Sequence, residues 1–295
     1  MTAEKLDNFP YEPASAHTSE AQRRHYWAVA IGLQRVDGLE VSPYLRQAAE
    51  AYIAGDRSLE ETGEMVRARH AEGADADFRE ADLVSQRIAE LLASSPFFLA
   101  PEILPAIHRH LFQDLDVSVY HPGQFKQERM IKQEEILNGD SVLYADPMAY
   151  SMALAGAFGA EQGRAYRTLS GPELADFCHT IAFLWQVHPF YEGNTRTVAV
   201  FSELYLNYLG FKVSNDPFER HARYFRDALV RAMYRNADAE IFPDETFLVA
   251  FYENLLGQAD HALDREELLC APLFENPRLL RNVAPNDALD KRHLN

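Results

Sequence analysis

The stretch His188-Pro-Phe-Tyr-Glu-Gly-Asn-Thr-Arg-Thr197 joins two segments of helical periodicity. Upstream, from Gly171-Pro172-Glu173 onward, Leu174, Phe177, Cys178, Ile181, Leu184 and Trp185 recur on one face, with His188 next in line. A proline disfavours the α conformation of the residue before it, so this helix ends at His188. Downstream, a second helix starts near Asn194 or Thr195, turns Val198, Phe201, Leu204, Tyr205 and Tyr208 inward, and stops at Gly210. Two amphipathic helices meeting at a short polar loop mark a helical protein with chemistry at the junction.

A Gly-Asn pair feeding a helix start directs backbone N–H groups outward with the helix dipole behind them, which is an anion site. Arg196 sits in that first turn, where the dipole is already positive and an arginine is unfavourable unless an anion intervenes. Glu192 offers a hard oxygen of the kind Mg²⁺ uses beside substrate phosphates. His188 offers a base that titrates near neutral pH. Taken singly, each has a plainer reading: a core histidine, a capping carboxylate, a surface charge. Together within nine residues they describe phosphoryl or nucleotidyl transfer.

The rest of the chain is read outward from this loop. Residues 1–20 are polar and proline-containing and read as an extended arm. Tyr26, Val29, Ala30 and Leu33 mark an amphipathic helix closed by Gly38. Ser42-Pro43 opens a second helix that Gly55 ends, and Ser58 with Glu61 has the capping-box spacing of a third. Glu72 to Asp77 is a polar link, and helical patterning returns over 78–113 with a break near Ser94-Ser95-Pro96. Residues 121–147 lose the helical period. There Asn138-Gly139 lies between the apolar runs 135–137 and 141–144, the signal of a β-hairpin with a type I′ turn. Further helices are expected over 148–166, 171–188, 195–209, 219–235 and 244–257, and after Leu269 the composition turns loop-like.

The junction resembles the signature of the Fic family (Fic/Doc, or Fido, fold), His-x-Phe-x-Asp/Glu-Gly-Asn-Gly-Arg-x-x-Arg. His188, Phe190, Glu192, Gly193, Asn194 and Arg196 fill six of its eight specified positions. The hairpin region lies where that family has a target-binding flap, Tyr224 to Arg231 resembles a following helix, and Gly32 to Leu39 with the helices to Arg69 resembles an antitoxin-like segment. The resemblance spans roughly 22–258. It implies an all-α Fido-type bundle with a β-hairpin flap, divided into an arm and antitoxin-like segment (1–77), a Fic core (78–260) and a C-terminal extension (261–295).

It also implies protein adenylylation. His188 would deprotonate a Ser, Thr or Tyr hydroxyl of a target protein docked through the 121–147 flap. That oxygen would attack the α-phosphate of ATP. Glu192 would hold Mg²⁺, while Gly193, Asn194, Thr195 and Arg196 bind the phosphates and Asp37-Gly38 occupies the end of the regulatory, inhibitory motif within the antitoxin-like segment. Two positions depart from the pattern: Thr195 replaces the second glycine, and Ala199 the final arginine. In the family that arginine contacts the γ-phosphate and pairs with an inhibitory glutamate. Arg231 is the expected substitute phosphate ligand, with Arg226 beside it. Leu33 stands at the inhibitory motif's hydroxyl position. The departures keep open another donor, the reverse phosphodiester hydrolysis, and a nucleotide-binding module without turnover.

Composition narrows the field. The chain has 295 residues, 47% hydrophobic and 25% charged, which is a globular composition. Its 45 acidic and 28 basic residues give a formal charge of −17. A field of that sign repels nucleic acid and anionic lipid, so neither is an expected partner. No apolar run approaches the roughly 18–20 residues of a membrane span, and no secretory h-region is visible. Two cysteines make no disulfide framework, which suits a reducing cytoplasm. A homo-oligomer is compatible with all of this.

Overall fold

The computed structural model describes residues 18–94, 97–214 and 216–281. The expected arm falls almost entirely outside them. The described chain is helical: α1 Glu20–Gly32, α2 Pro43–Ala54, α3 Leu59–Ala71, α4 Arg79–Ala93, α5 Ile103–Phe112, α6 Val117–Tyr120, α7 Tyr150–Gln162, α8 Pro172–Val187, α9 Asn194–Tyr208, α10 Asp216–Met233, α11 Thr246–Leu255 and α12 Ala271–Glu275. The chain forms two compact units, one of residues up to Gln124 with Glu192–Ala222, the other of Phe125–Tyr191 with the chain from Arg223. α10 is interrupted at His221, where φ is −124°.

In the first unit, α1 packs on α4 and α5 packs on α9. Trp27, Val29 and Ala30 of α1 and Val84, Ile88 and Leu91 of α4 are buried, and removing such apolar surface from water drives the docking. A buried polar knot adds specificity. Asp82 of α4 accepts the Ser42 N–H at 2.8 Å and its hydroxyl at 2.6 Å, and lies 3.0 Å from Nε2 of His70. The same Ser42 hydroxyl caps α2 by accepting from Leu45 N–H. α2 and α3 are thereby fixed to α4.

After α1 the chain tightens into a 3₁₀ turn, Leu33–Asp37. Gly38 ends it with φ at 74°, a left-handed conformation that glycine adopts without steric cost. The geometry of that stop sets the direction of Asp37.

In the second unit, α8 packs between α7 and α11. Phe177, Ile181, Leu184 and Trp185 of α8 are buried, as their spacing predicts. The expected β-hairpin is corrected. Asn138 and Gly139 both have positive φ, 51° and 85°, as a type I′ turn requires, and Asp140 N–H donates to Leu137 O across it. Yet no strand pair forms among the described residues; a single antiparallel bridge joins Gln133 and Ser141. The run before the turn is a 3₁₀ turn, Glu135–Leu137, with adjacent Ile136 and Leu137 both buried. Strand alternation would put one of those two side chains outward.

The C-terminal chain holds this loop. Cys270 N–H donates to Ile136 O, Asn138 donates to Leu273 O, and Arg281 donates to Asp140 at 3.1 Å. The stretch after Leu269, expected as loop, contains α12 and the 3₁₀ turn Pro277–Leu279.

Candidate active site

His188 ends α8 in the left-handed region, φ 49° and ψ 55°. That conformation costs a non-glycine residue energy and recurs at functional positions. The imidazole is 6% exposed. The Tyr144 ring stacks on it, centroids 3.8 Å apart and planes 19° apart, and Trp185 meets it edge-on at 5.7 Å. Burial, reinforced by the positive Lys126, Lys132 and Arg226, pushes the His188 pKa well below the ordinary histidine value against a pull from the Trp185 carbonyl. The imidazole is therefore neutral at physiological pH, the form a general base must have.

Behind Tyr144 lies a buried ion pair. Arg226 donates to Glu134 at 2.6 Å, and the Tyr144 hydroxyl donates to the same carboxylate at 3.4 Å. Lys126 is buried, its backbone N–H donating to Pro189 O at 2.8 Å and its ammonium 5.5 Å from the Tyr144 ring centre. Arg231, the other expected phosphate ligand, donates to Leu268 O at 3.1 Å, lies 3.8 Å from Asp244 and covers the Phe247 ring.

The remainder of the signature belongs to the first unit. Gly193 is the N-cap of α9, with φ 73° and no side chain to cap the helix. A Cβ there would lie 2.1 Å from Cζ of Phe112, so the loop fits against that ring only as glycine. Phe112 also stacks on Tyr120 at 5.3 Å and carries the Arg196 guanidinium over its face at 5.0 Å. His108 holds the loop by its backbone. It donates from Nε2 to Glu192 O at 3.0 Å and accepts the Gly123 N–H at Nδ1 at 2.9 Å. Burial, with Arg196 nearby, pushes His108 down to about 3, so the ring keeps one donor and one acceptor.

Arg196 is 1% exposed and its guanidinium is occupied. Nη1 donates to the Gln34 side-chain oxygen at 3.1 Å, Nη2 donates to Glu80 at 2.7 Å, and Nε lies 2.9 Å from Asp37. Burial works against the charge, and the two carboxylates outweigh it, holding the group cationic. Glu80 also accepts from the Tyr120 hydroxyl at 2.5 Å. Asn194 and Thr195 are buried in the first turn of α9.

Residues 98–206 match the family model Fic/DOC family, and residues 23–69 match the family model Antitoxin VbhA. The chain carries a Fic/DOC domain with an antitoxin-like segment N-terminal to it. No curated protein and no solved structure gives a significant match. The Fic/DOC match contains the whole signature, and the antitoxin match contains α2 and most of α1 and α3, with Asp37-Gly38. In this Fic/DOC domain Ala199, at the position of the signature's final arginine, is fully buried and apolar. The antitoxin-like segment's carboxylate pairs instead with the first arginine, Arg196. Glu80, Gln34, Phe112, His108, Tyr144 and Glu134 carry no sequence signal that singles them out. Among the described residues, no helix is long and apolar enough to cross a membrane.

Proposed function

We propose that the protein is a Fic-type adenylyltransferase held in check by its own N-terminal segment. The observation that carries the reading is the buried, neutral His188 at the head of an otherwise well-kept Fic signature. A target Ser, Thr or Tyr hydroxyl gives its proton to the imidazole as its oxygen attacks the α-phosphate of ATP. An O–P bond forms, the bond to the β-phosphate oxygen breaks, and pyrophosphate leaves. General-base assistance of this kind is worth roughly 10²–10⁴ in rate.

The positive end of α9 and the glycine at its cap suit phosphate binding. Glu192, with an oxygen donor of the hard type, would hold Mg²⁺ together with the substrate phosphates; the ion when bound offsets charge on the leaving pyrophosphate. A site of one or two protein carboxylates plus substrate phosphates is the usual Mg²⁺ arrangement. Arg196 supplies cationic charge to the phosphates once Asp37 and Glu80 release it. The N-terminal segment thus competes with the nucleotide for one guanidinium.

Intact-mass measurement of the Asp37→Gly chain after incubation with Mg²⁺ and each of ATP, GTP, CTP and UTP tests this reading. The expected result is one nucleoside monophosphate adduct, from ATP, that His188→Ala abolishes. An adduct from another nucleotide alone would replace ATP as donor, and an adduct that survives His188→Ala would remove the base.

A further inference from the structure

The His188 ring is held in an unusual way for a base. Its Nδ1 is buried and makes no hydrogen bond of good geometry among the described residues, and the Trp185 carbonyl exerts a pull on the ring. Its faces and edge are held by the Tyr144 stack at 3.8 Å and by Trp185. Tyr144 in turn is placed by the end of α8. Ala145 N–H donates to Gln186 O, and Gln186 donates from its side chain to Leu143 O, both at 3.4 Å. The tyrosine is thus tied on both sides to the residue two before His188.

Burial pushes the Tyr144 phenol well above its ordinary value, so it remains a neutral donor toward Glu134. Burial also raises the Glu134 carboxyl above its ordinary value, against the pull of Arg226 and Lys132. Arg226 donates to the same group at 2.6 Å.

We propose that Tyr144 is a positioning residue for His188. Its ring fixes the imidazole plane, and its face, made electron-rich by the hydroxyl's bond to Glu134, stabilises the imidazolium formed when the base accepts the target's proton. This rests on the transfer reading above and deepens it: the segment 121–147, expected to dock the target, also aligns the base, so a displaced segment leaves the base unaligned.

The test uses the full-length Asp37→Gly chain as parent, with the proposed brake released, and combines histidine-labelled NMR with nucleotide-transfer kinetics. The Hε1 resonance of His188, assigned by its loss in His188→Ala, is expected upfield from ring currents. It keeps that position in Tyr144→Phe and moves toward the free-histidine value in Tyr144→Leu. Tyr144→Leu is expected to lower kcat between about 10- and 100-fold with KM for ATP unchanged, and Tyr144→Phe to recover most of the loss. An unmoved resonance in Tyr144→Leu overturns the proposal. So does a rate loss in Tyr144→Phe equal to that in Tyr144→Leu, because the ring would then not be what matters. A His188→Ala chain as active as the parent overturns the transfer reading itself, and the Tyr144 role with it.

Discussion

The Asp37 carboxylate lies 2.9 Å from Nε of Arg196, so a carboxylate of the antitoxin-like segment meets the arginine of the Fic signature. Glu80, on α4, closes the other side at 2.7 Å. A phosphate oxygen must compete with two carboxylates already paired to this buried guanidinium. Asp37→Asn should therefore tighten Mg-ATP binding by roughly 5- to 150-fold, the range of an ordinary coupling free energy. Isothermal titration of the variant and its parent measures this. Equal affinities would reduce the contact to scaffold.

Removing both carboxylates has the opposite sign for the free protein. Asp37→Asn with Glu80→Gln leaves Arg196 buried and uncompensated, a loss of roughly 3–5 kcal/mol for a fully buried pair. Both acids keep about a quarter of their side-chain surface exposed, 23% and 27%, so the lower end is expected. Denaturant unfolding should show it, and Mg-ATP should restore much of the loss.

Gly193→Ala should disturb the loop twice over. A left-handed φ costs an L-residue about 1–2 kcal/mol, and the new methyl would lie 2.1 Å from the Phe112 ring. A loss of more than about 2 kcal/mol in unfolding free energy is expected, with nucleotide binding impaired. Phe112→Leu in the same chain should return part of it, since the two changes share one contact. Strictly additive losses would show that the ring is not the obstacle.

His108→Leu should cost about 1–2 kcal/mol, because the Gly123 N–H and the Glu192 carbonyl both lose their partner in a part-buried setting. The same variant should weaken Mg²⁺-dependent nucleotide binding more than nucleotide binding without metal, since Glu192 is the residue set loose. Titrations in Mg²⁺ and in EDTA separate the two.

Much of the helical fold is legible because its signals are local. Ser42-Pro43, the Ser58–Glu61 capping box and the stops at Gly38 and Gly55 each act within about four residues, and each is present. The Asn138-Gly139 turn is equally local and forms, but the strands flanking it depend on pairing that only one bridge supplies. Around the signature, sequence order marks His188 and Glu192 to Arg196. It does not mark Glu80, 116 residues from Arg196, or Gln34, 162 residues away. His108 acts on backbone atoms, which no residue pattern identifies, and Tyr144 is an ordinary aromatic until its ring is seen against the imidazole.

Acid should unfold the first unit partly through Glu90. Burial pushes this carboxyl up, but the His110 hydrogen bond and the Arg87 charge outweigh it and leave it at about 2. A group depressed on folding contributes stability above its unfolded value, near 4.5, and loses it as pH falls through the folded value. The difference from 4.5 to about 2, at 1.36 kcal/mol per pH unit, amounts to about 3 kcal/mol. Urea unfolding at pH 7, 4 and 3 should show a shallower acid loss in Glu90→Gln. Identical slopes would place the acid sensitivity elsewhere.

The most direct test of the central claim follows which phosphorus of ATP is transferred. The Asp37→Gly chain is incubated with Mg²⁺ and ATP labelled at either the α- or the γ-phosphate, with His188→Ala in parallel. The account predicts protein-bound label from the α-position alone, lost in His188→Ala. Label from the γ-position, or α-label that persists without His188, would contradict it.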